Sequence, residues 1–224
     1  MHKTYKALLL LSSFLSFYGK AEASEGLINT PYITKYLTSQ CGWAKLHGAS
    51  EDELGAGMLY YGIAYSMQAK LCVCLGSGDG FVPRILRQAQ RDLKLDDSCT
   101  ILVDGNTGKW GRPLWLSKHS ILKSEFPEIK IILKKTSEAC QDFQGLTIDY
   151  LYIDADRTVK GAFQDFLDYL PHMAKGGVII LHDTGPKAPC AGVVDKIKKL
   201  GYSVINFEHL GAGAALIMVH RDSS

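Results

Sequence analysis

The sequence predicts a doubly wound α/β fold, a mostly parallel sheet with helices on both faces and an antiparallel last strand pair. Beyond about Lys70, seven short apolar runs alternate with stretches of helical periodicity. The runs are continuously apolar rather than alternating, as expected of strands covered on both faces. The last two are joined only by residues 208–213, too few for a helical crossover, so that pair should run antiparallel.

Taken in order, residues 24 to about 70 read as helical, with Ser50 or Asp52 as a cap ahead of Glu53, Leu54, Met58, Tyr61 and Tyr65. Strands are predicted over residues 71–75, 100–103, 130–133, 150–153, 178–181, 203–207 and 214–219. Helices are predicted between them over residues 82–93, 116–126, 159–170 and 193–200.

A chain of 224 residues is long enough for one domain with a well-buried core, and 46% apolar with 21% charged residues is ordinary for a globular protein. Lys3 and Lys6 precede an apolar run over residues 7–19, and Ala21-Glu22-Ala23 places small residues where a signal peptidase reads. Residues 1–23 are therefore expected to be an export signal, cut before Ser24. Residues 24–70 are then a helical segment packing on the core, and residues 71–224 are the α/β domain. The apolar run is too short to span a membrane comfortably, so no stable span is expected after cleavage. Removing this segment leaves 22 basic and 22 acidic residues, and a neutral chain lacks the field that drives binding to nucleic acid. Of the six cysteines, Cys72 and Cys74 alternate along one predicted strand and Cys99 and Cys140 lie beside others, which reads as buried thiols, and no Cys-x-x-Cys pair occurs. A bridge between Cys41 and Cys190 is the one pairing left open.

Leu71-Cys72-Val73-Cys74-Leu75 runs straight into Gly76-Ser77-Gly78-Asp79-Gly80 and then into a helix near Phe81. A strand, a glycine turn and a helix start put backbone N–H groups and the positive helix end at the carboxyl edge of the sheet. Asp104 closes the next strand, placed to accept both hydroxyls of a ribose. Dinucleotide sites use G-x-G-x-x-G, whereas here the third glycine comes one residue early, which favours a nucleoside without a pyrophosphate. These residues resemble the class I S-adenosylmethionine-dependent methyltransferases, whose first motif is an apolar strand followed by G-x-G-x-G. The resemblance spans about residues 53–219 and implies a seven-stranded Rossmann-like sheet. It also implies that Gly76, Ser77, Gly78 and Gly80 wrap the methionine end of S-adenosylmethionine (SAM) while Asp104 holds its ribose. Cys74 departs from the family, which usually has an acidic residue there.

The fourth and fifth predicted strands end in Asp154-Ala155-Asp156-Arg157 and His182-Asp183-Thr184. Parallel neighbours bring Asp154 and Asp183 together, and two like charges need a proton or a cation between them. These tracts are similar to the small O-methyltransferases related to catechol and caffeoyl-coenzyme A methyltransferases. The resemblance implies that Asp154, Asp183 and Thr184 ligate Mg2+ or another divalent cation, with Thr184 replacing the family's Asn; Asp156 is a further candidate ligand beside them. It sets Arg157 where relatives have a catalytic Lys, suited to orienting an acidic substrate or stabilising an oxyanion. His182 is the base if its ring reaches the crevice, and Asp154 is the carboxylate that would contact the methionine end of SAM. Ser137, within Thr136-Ser137-Glu138 at the end of the third predicted strand, resembles the stretch beside the adenine. Trp110 and Trp115 suit either a lid or anchors for an irregular loop.

The leading functional expectation is methyl transfer from SAM to an oxygen of a small-molecule acceptor. The alternatives are an exported, non-catalytic α/β module and a nucleotide-dependent oxidoreductase. Export is the expected localisation, with the cytoplasm as the alternative because the cofactor is intracellular. Neither acceptor nor oligomeric state is legible.

Overall fold

A computed structural model describes residues 28–76, 78–105 and 120–220. The expected export signal, Ser77, Trp110 and Trp115 lie outside the described residues. A short helix α1 (Thr30–Tyr32) runs into a π-helical turn (Ile33–Leu37), and a 3-10 turn (Ala44–His47) precedes α2 (Ala56–Ser66). There follow β1 (Leu71–Leu75), α3 (Phe81–Asp92), β2 (Cys99–Val103), α4 (Ile121–Glu125), β3 (Lys130–Ile132) and α5 (Thr136–Ala139). The chain ends with β4 (Ile148–Ile153), α6 (Val159–Tyr169), β5 (Met173–His182), α7 (Val193–Lys199), β6 (Val204–Phe207) and β7 (Ala214–Met218).

The strands form one seven-stranded sheet in the order β3-β2-β1-β4-β5-β7-β6, parallel except where β7 pairs with β5 and β6. Successive strand residues face opposite sides, so the continuous apolar runs feed two cores. Cys72, Cys74, Tyr150, Tyr152 and Ile180 join Tyr60 of α2, Ile85 of α3 and Leu37 and Ala44 of the N-terminal segment. Val73, Leu75, Leu151, Ile153 and Leu181 join Phe143, Phe166 of α6 and Ile197 of α7 on the other face. Each fully buried side chain of this size contributes about 1.5–3 kcal/mol, so the two cores dominate stability. Among the described residues, no helix is long and apolar enough to cross a membrane.

Four expectations are corrected. Cys41 and Cys190 lie on opposite faces of the sheet and cannot bridge; all six cysteines are free thiols. The second helix starts at Ala56 behind Gly55 (φ 49°), without a side-chain cap, while the Ser50 hydroxyl donates to Asp52 Oδ1 (3.1 Å). A Cβ on Gly55 would collide with the backbone of His47 and Gly48, so the close packing there demands glycine. Thr136-Ser137-Glu138 does not end a strand: β3 stops at Ile132, and Thr136 opens α5, its carbonyl accepting from the Tyr169 hydroxyl (2.9 Å). The fifth strand begins five residues early, because a register shift opposite Ile148 and Tyr150 lets pairing with β4 resume at Met173.

Register positions the site. Leu75 is level with Val103 and with Ile153, and Ile153 is level with Leu181. The next residue on each chain, Gly76, Asp104, Asp154 and His182, therefore shares one edge of the sheet.

Candidate functional site

The glycine loop begins where neighbouring backbone leaves no room for a side chain. Asp154 N donates to Leu75 O (2.8 Å) and Gly76 N to Val103 O (2.9 Å), and a Cβ on Gly76 would collide with the Asp154 carbonyl. Gly80 (φ 87°) starts α3 where a Cβ would meet Leu122 Cδ1 at 2.7 Å. Gly78 (φ 55°) has only the Trp43 side chain near its Cβ position, at ordinary contact distance. Backbone packing thus demands Gly76, whereas Gly80 and Gly78 are required chiefly by their left-handed backbone. Cys74 is fully buried, and burial pushes its thiol well above the ordinary range, so it brings no charge to the loop. Asp104 sits half-buried at the end of β2, its N–H donating to Ile132 O (3.0 Å).

Asp79 ties this loop to the N-terminal segment. Its Oδ2 accepts the Trp43 N–H at 2.8 Å. Burial raises its pKa to about 6, against the lowering effect of that hydrogen bond. At the far end of the same strap, Ala212 N donates to Leu46 O (2.7 Å). Held at both ends, residues 43–47 lay the His47 ring on the His182 ring, centroids 4.2 Å apart and 29° from parallel. The Tyr60 and Tyr152 hydroxyls each stand 3.4 Å from His47 Nδ1. Burial, reinforced by His182 and Arg157, holds His47 well below the usual imidazole pKa, so its ring is neutral.

His182, the last residue of β5, is buried with Nε2 3.3 Å from Leu46 O, to which it donates. Its Nδ1 stands 3.4 Å from both Asp154 Oδ2 and Asp183 Oδ1. Neither contact has hydrogen-bond geometry, which leaves His182 Nδ1 and Asp183 Oδ1 as buried polar atoms without a hydrogen-bond partner among the described residues. Burial pushes the His182 pKa down, but the attraction of Asp154, then of Asp183, outweighs it and the net direction is up.

The other expected site residues fall in different places. Arg157 Nε donates to Asp183 Oδ2, so a half-buried guanidinium already neutralises that fully buried carboxylate. Asp183 adopts a left-handed φ of 58°, a strained conformation of the kind that clusters at functional sites. Thr184 is buried, but its hydroxyl donates to Asn206 Oδ1 on β6 (2.8 Å), away from the carboxylates. Asp156 is exposed, its carboxyl packed where a Gly161 Cβ would lie at the start of α6. Ser137 is exposed on α5. The edge thus brings together Gly76, Gly78, Gly80, Asp104, Asp154, His182 and Asp183, and leaves out Thr184, Asp156 and Ser137. Of the three oxygen ligands expected for a divalent ion, Asp154 Oδ2 and Asp183 Oδ1 lie beside His182 Nδ1, Arg157 holds the other Asp183 oxygen, and the Thr184 hydroxyl turns away to Asn206.

Sequence reasoning does not single out Trp43, His47, Tyr60 or Tyr152. His47 meets Tyr152 across 105 positions of chain, and no local pattern announces such a contact.

Residues 73–184, half of the chain, match the model of a family described as a methyltransferase domain. The chain belongs to this methyltransferase family. The matched segment encloses the glycine loop, Asp104, Asp154, Arg157, His182 and Asp183, whereas His47 lies ahead of it. No curated protein matches this methyltransferase. Among solved structures it is similar to the O-methyltransferase TomG from Streptomyces achromogenes, solved in complex with SAM. The two are 17% identical over 80% of this chain and 87% of that one, with a TM-score of 0.59. The O-methyltransferase from Bacillus cereus, in complex with SAH, is 13% identical over 77% and 83% of the respective chains, with a TM-score of 0.54. SAH-bound methyltransferase PaMTH1 from Podospora anserina is 14% identical over 77% and 80%, with a TM-score of 0.56. At these identities the likeness to this methyltransferase is one of fold.

Proposed function

We propose that this protein transfers a methyl group from SAM to an oxygen of a small-molecule acceptor. One observation carries the reading: register sets a glycine loop and the ribose-type carboxylate Asp104 on the same sheet edge as Asp154, His182 and Asp183. The loop and the start of α3 offer backbone N–H groups, and Asp104 offers acceptors for two ribose hydroxyls. Asp154, next to Gly76, is the carboxylate that this reading assigns to the methionine end.

An oxygen lone pair attacks the methyl carbon, the sulfur keeps the electron pair of the breaking bond, and the acceptor's proton must leave. The sulfonium supplies the driving force, so the protein chiefly aligns the reacting atoms and accommodates the lost charge. Asp154 and Asp183 flank His182 Nδ1, and a carboxylate–imidazole cluster of this kind is suited to taking up the proton that the acceptor gives off. Arg157, on the Asp183 side of the cluster, supports an acceptor that carries an acidic group. The departures at Cys74 and Thr184 support a second reading, a cofactor-binding module without turnover.

Calorimetry with SAM and with its demethylated product tests the first step, and methyl-labelled SAM with a panel of hydroxylated acids and phenols tests the second. Saturable binding followed by label transfer is expected. Lack of heat at millimolar ligand would overturn the methyltransferase reading, and binding without transfer to any acceptor would favour the inactive module.

A further inference from the structure

We propose that His47, Asp154 and His182 bind a divalent transition-metal ion, zinc or cobalt in preference to magnesium. One ligand atom from each of the three lies within 4.8 Å of the other two. Asp154 Oδ2 and His182 Nδ1 are 3.4 Å apart, the separation of two ligands on a tetrahedral ion with bonds of about 2.1 Å. His47 must move by roughly an ångström to complete that triangle.

A second observation points inward. His182 is only 2% exposed, yet among the described residues its Nδ1 has no hydrogen-bond partner and faces Asp154. With Nε2–H given to Leu46 O, Nδ1 is the ring atom that faces the cluster, and a bound ion would replace any proton there, the arrangement that fixes a ligating imidazole. The Tyr60 and Tyr152 hydroxyls orient the His47 ring in the same way.

Charge and donor type select the ion. Arg157 neutralises Asp183, so two imidazoles and one carboxylate remain. Such a set suits zinc, cobalt or nickel, whereas magnesium and calcium take oxygen ligands. Three protein ligands leave at least one position for an acceptor oxygen, whose proton the ion would make more acidic. That catalytic meaning rests on the methyl-transfer reading; the binding of the ion does not. Asp154 and His182 lie inside the family-matched residues 73–184 and His47 lies ahead of them, so the N-terminal strap supplies one of the three ligands.

The full chain, freed of metal with chelator and dialysed, is titrated with Co2+ and followed by visible absorption, and with Zn2+ and Mg2+ by calorimetry. One cobalt per chain with d–d bands of a nitrogen-ligated ion is expected, displaced by Zn2+ and not by Mg2+. His47→Gln and His182→Gln should each weaken binding by about tenfold or more, judged by the loss typical of perturbed metal sites. His172→Gln should leave it unchanged, because His172 stands 3.6 Å from Cys140, a separate soft pair. Where a variant folds poorly, the Zn2+-induced rise in thermal midpoint of the unaltered chain is the second measure, and it should vanish in His47→Gln. Mg2+ binding as tight as Zn2+, no cobalt spectrum, or a spectrum unchanged in His47→Gln would overturn the site. SAM calorimetry on the same material separates the two readings. SAM bound with no ion overturns the metal site alone, and an ion bound without SAM overturns the methyltransferase reading alone.

Discussion

Asp79→Asn should raise stability at neutral pH and leave it almost unchanged near pH 4. Asp79 is buried inside the glycine loop, and burial lifts its pKa from an ordinary 3.8 to about 6. The folded protein therefore holds this proton more tightly than the unfolded chain does. Stability linked to it is fully present below the unfolded pKa and is lost as pH rises through the folded one, between about pH 4 and 6. A shift of about two units corresponds to roughly 3 kcal/mol, taken as an upper figure because the Trp43 N–H already stabilises the charged form. Asparagine carries no charge yet keeps an oxygen for the Trp43 N–H that Asp79 accepts at 2.8 Å. Above pH 7 the variant should gain about 2 kcal/mol, or roughly 4–8 °C in thermal midpoint for a domain of this size. Asp79→Ala should gain less, because it also releases Trp43 and loosens the strap that stacks His47 on His182. Thermal and urea unfolding from pH 4 to 8 at fixed ionic strength reads this directly. A difference between variant and parent that stays constant across that range would refute the reasoning.

Asp104→Ala should weaken SAM binding by roughly tenfold to a hundredfold, the worth of charge-assisted hydrogen bonds to a ribose, with the melting curve of the free protein little changed; equal affinity by calorimetry would remove Asp104 from the cofactor site. Arg157→Ala strands the Asp183 carboxylate, whose side chain is 1% exposed, and should cost about 3–5 kcal/mol of stability. The double variant with Asp183→Asn should recover much of that loss in urea unfolding, and failure to recover any would mean that Arg157 acts mainly by packing. Gly80→Ala should cost about 1–3 kcal/mol, because it forces a side chain into a φ of 87° and against Leu122, and denaturant unfolding measures it. Mass spectrometry of the natively expressed protein should find an N-terminus at Ser24, and an intact Met1 on soluble cytosolic protein would argue for the cytoplasm and against export.

Apolar patterning by itself determined the sheet and its helices. A strand buried on both faces must be apolar at every position, so runs such as Val73 to Leu75 and Val178 to Leu181 betray themselves one element at a time. The glycine loop and the acids at strand ends were legible for the same reason, since each follows its strand directly and the parallel register carries Gly76, Asp104, Asp154 and His182 to one edge. Helix starts were less legible where packing replaced a cap, as at Gly55. Only the tertiary structure decided which partners those strand ends meet. Arg157 turns onto Asp183, Thr184 onto Asn206, and His47 arrives over His182 on a strap anchored to Asp79 and Ala212. Such contacts depend on side-chain rotamers and on segments far apart in the chain. Sequence periodicity encodes the face a residue presents and is silent on which distant residue comes to lie against it.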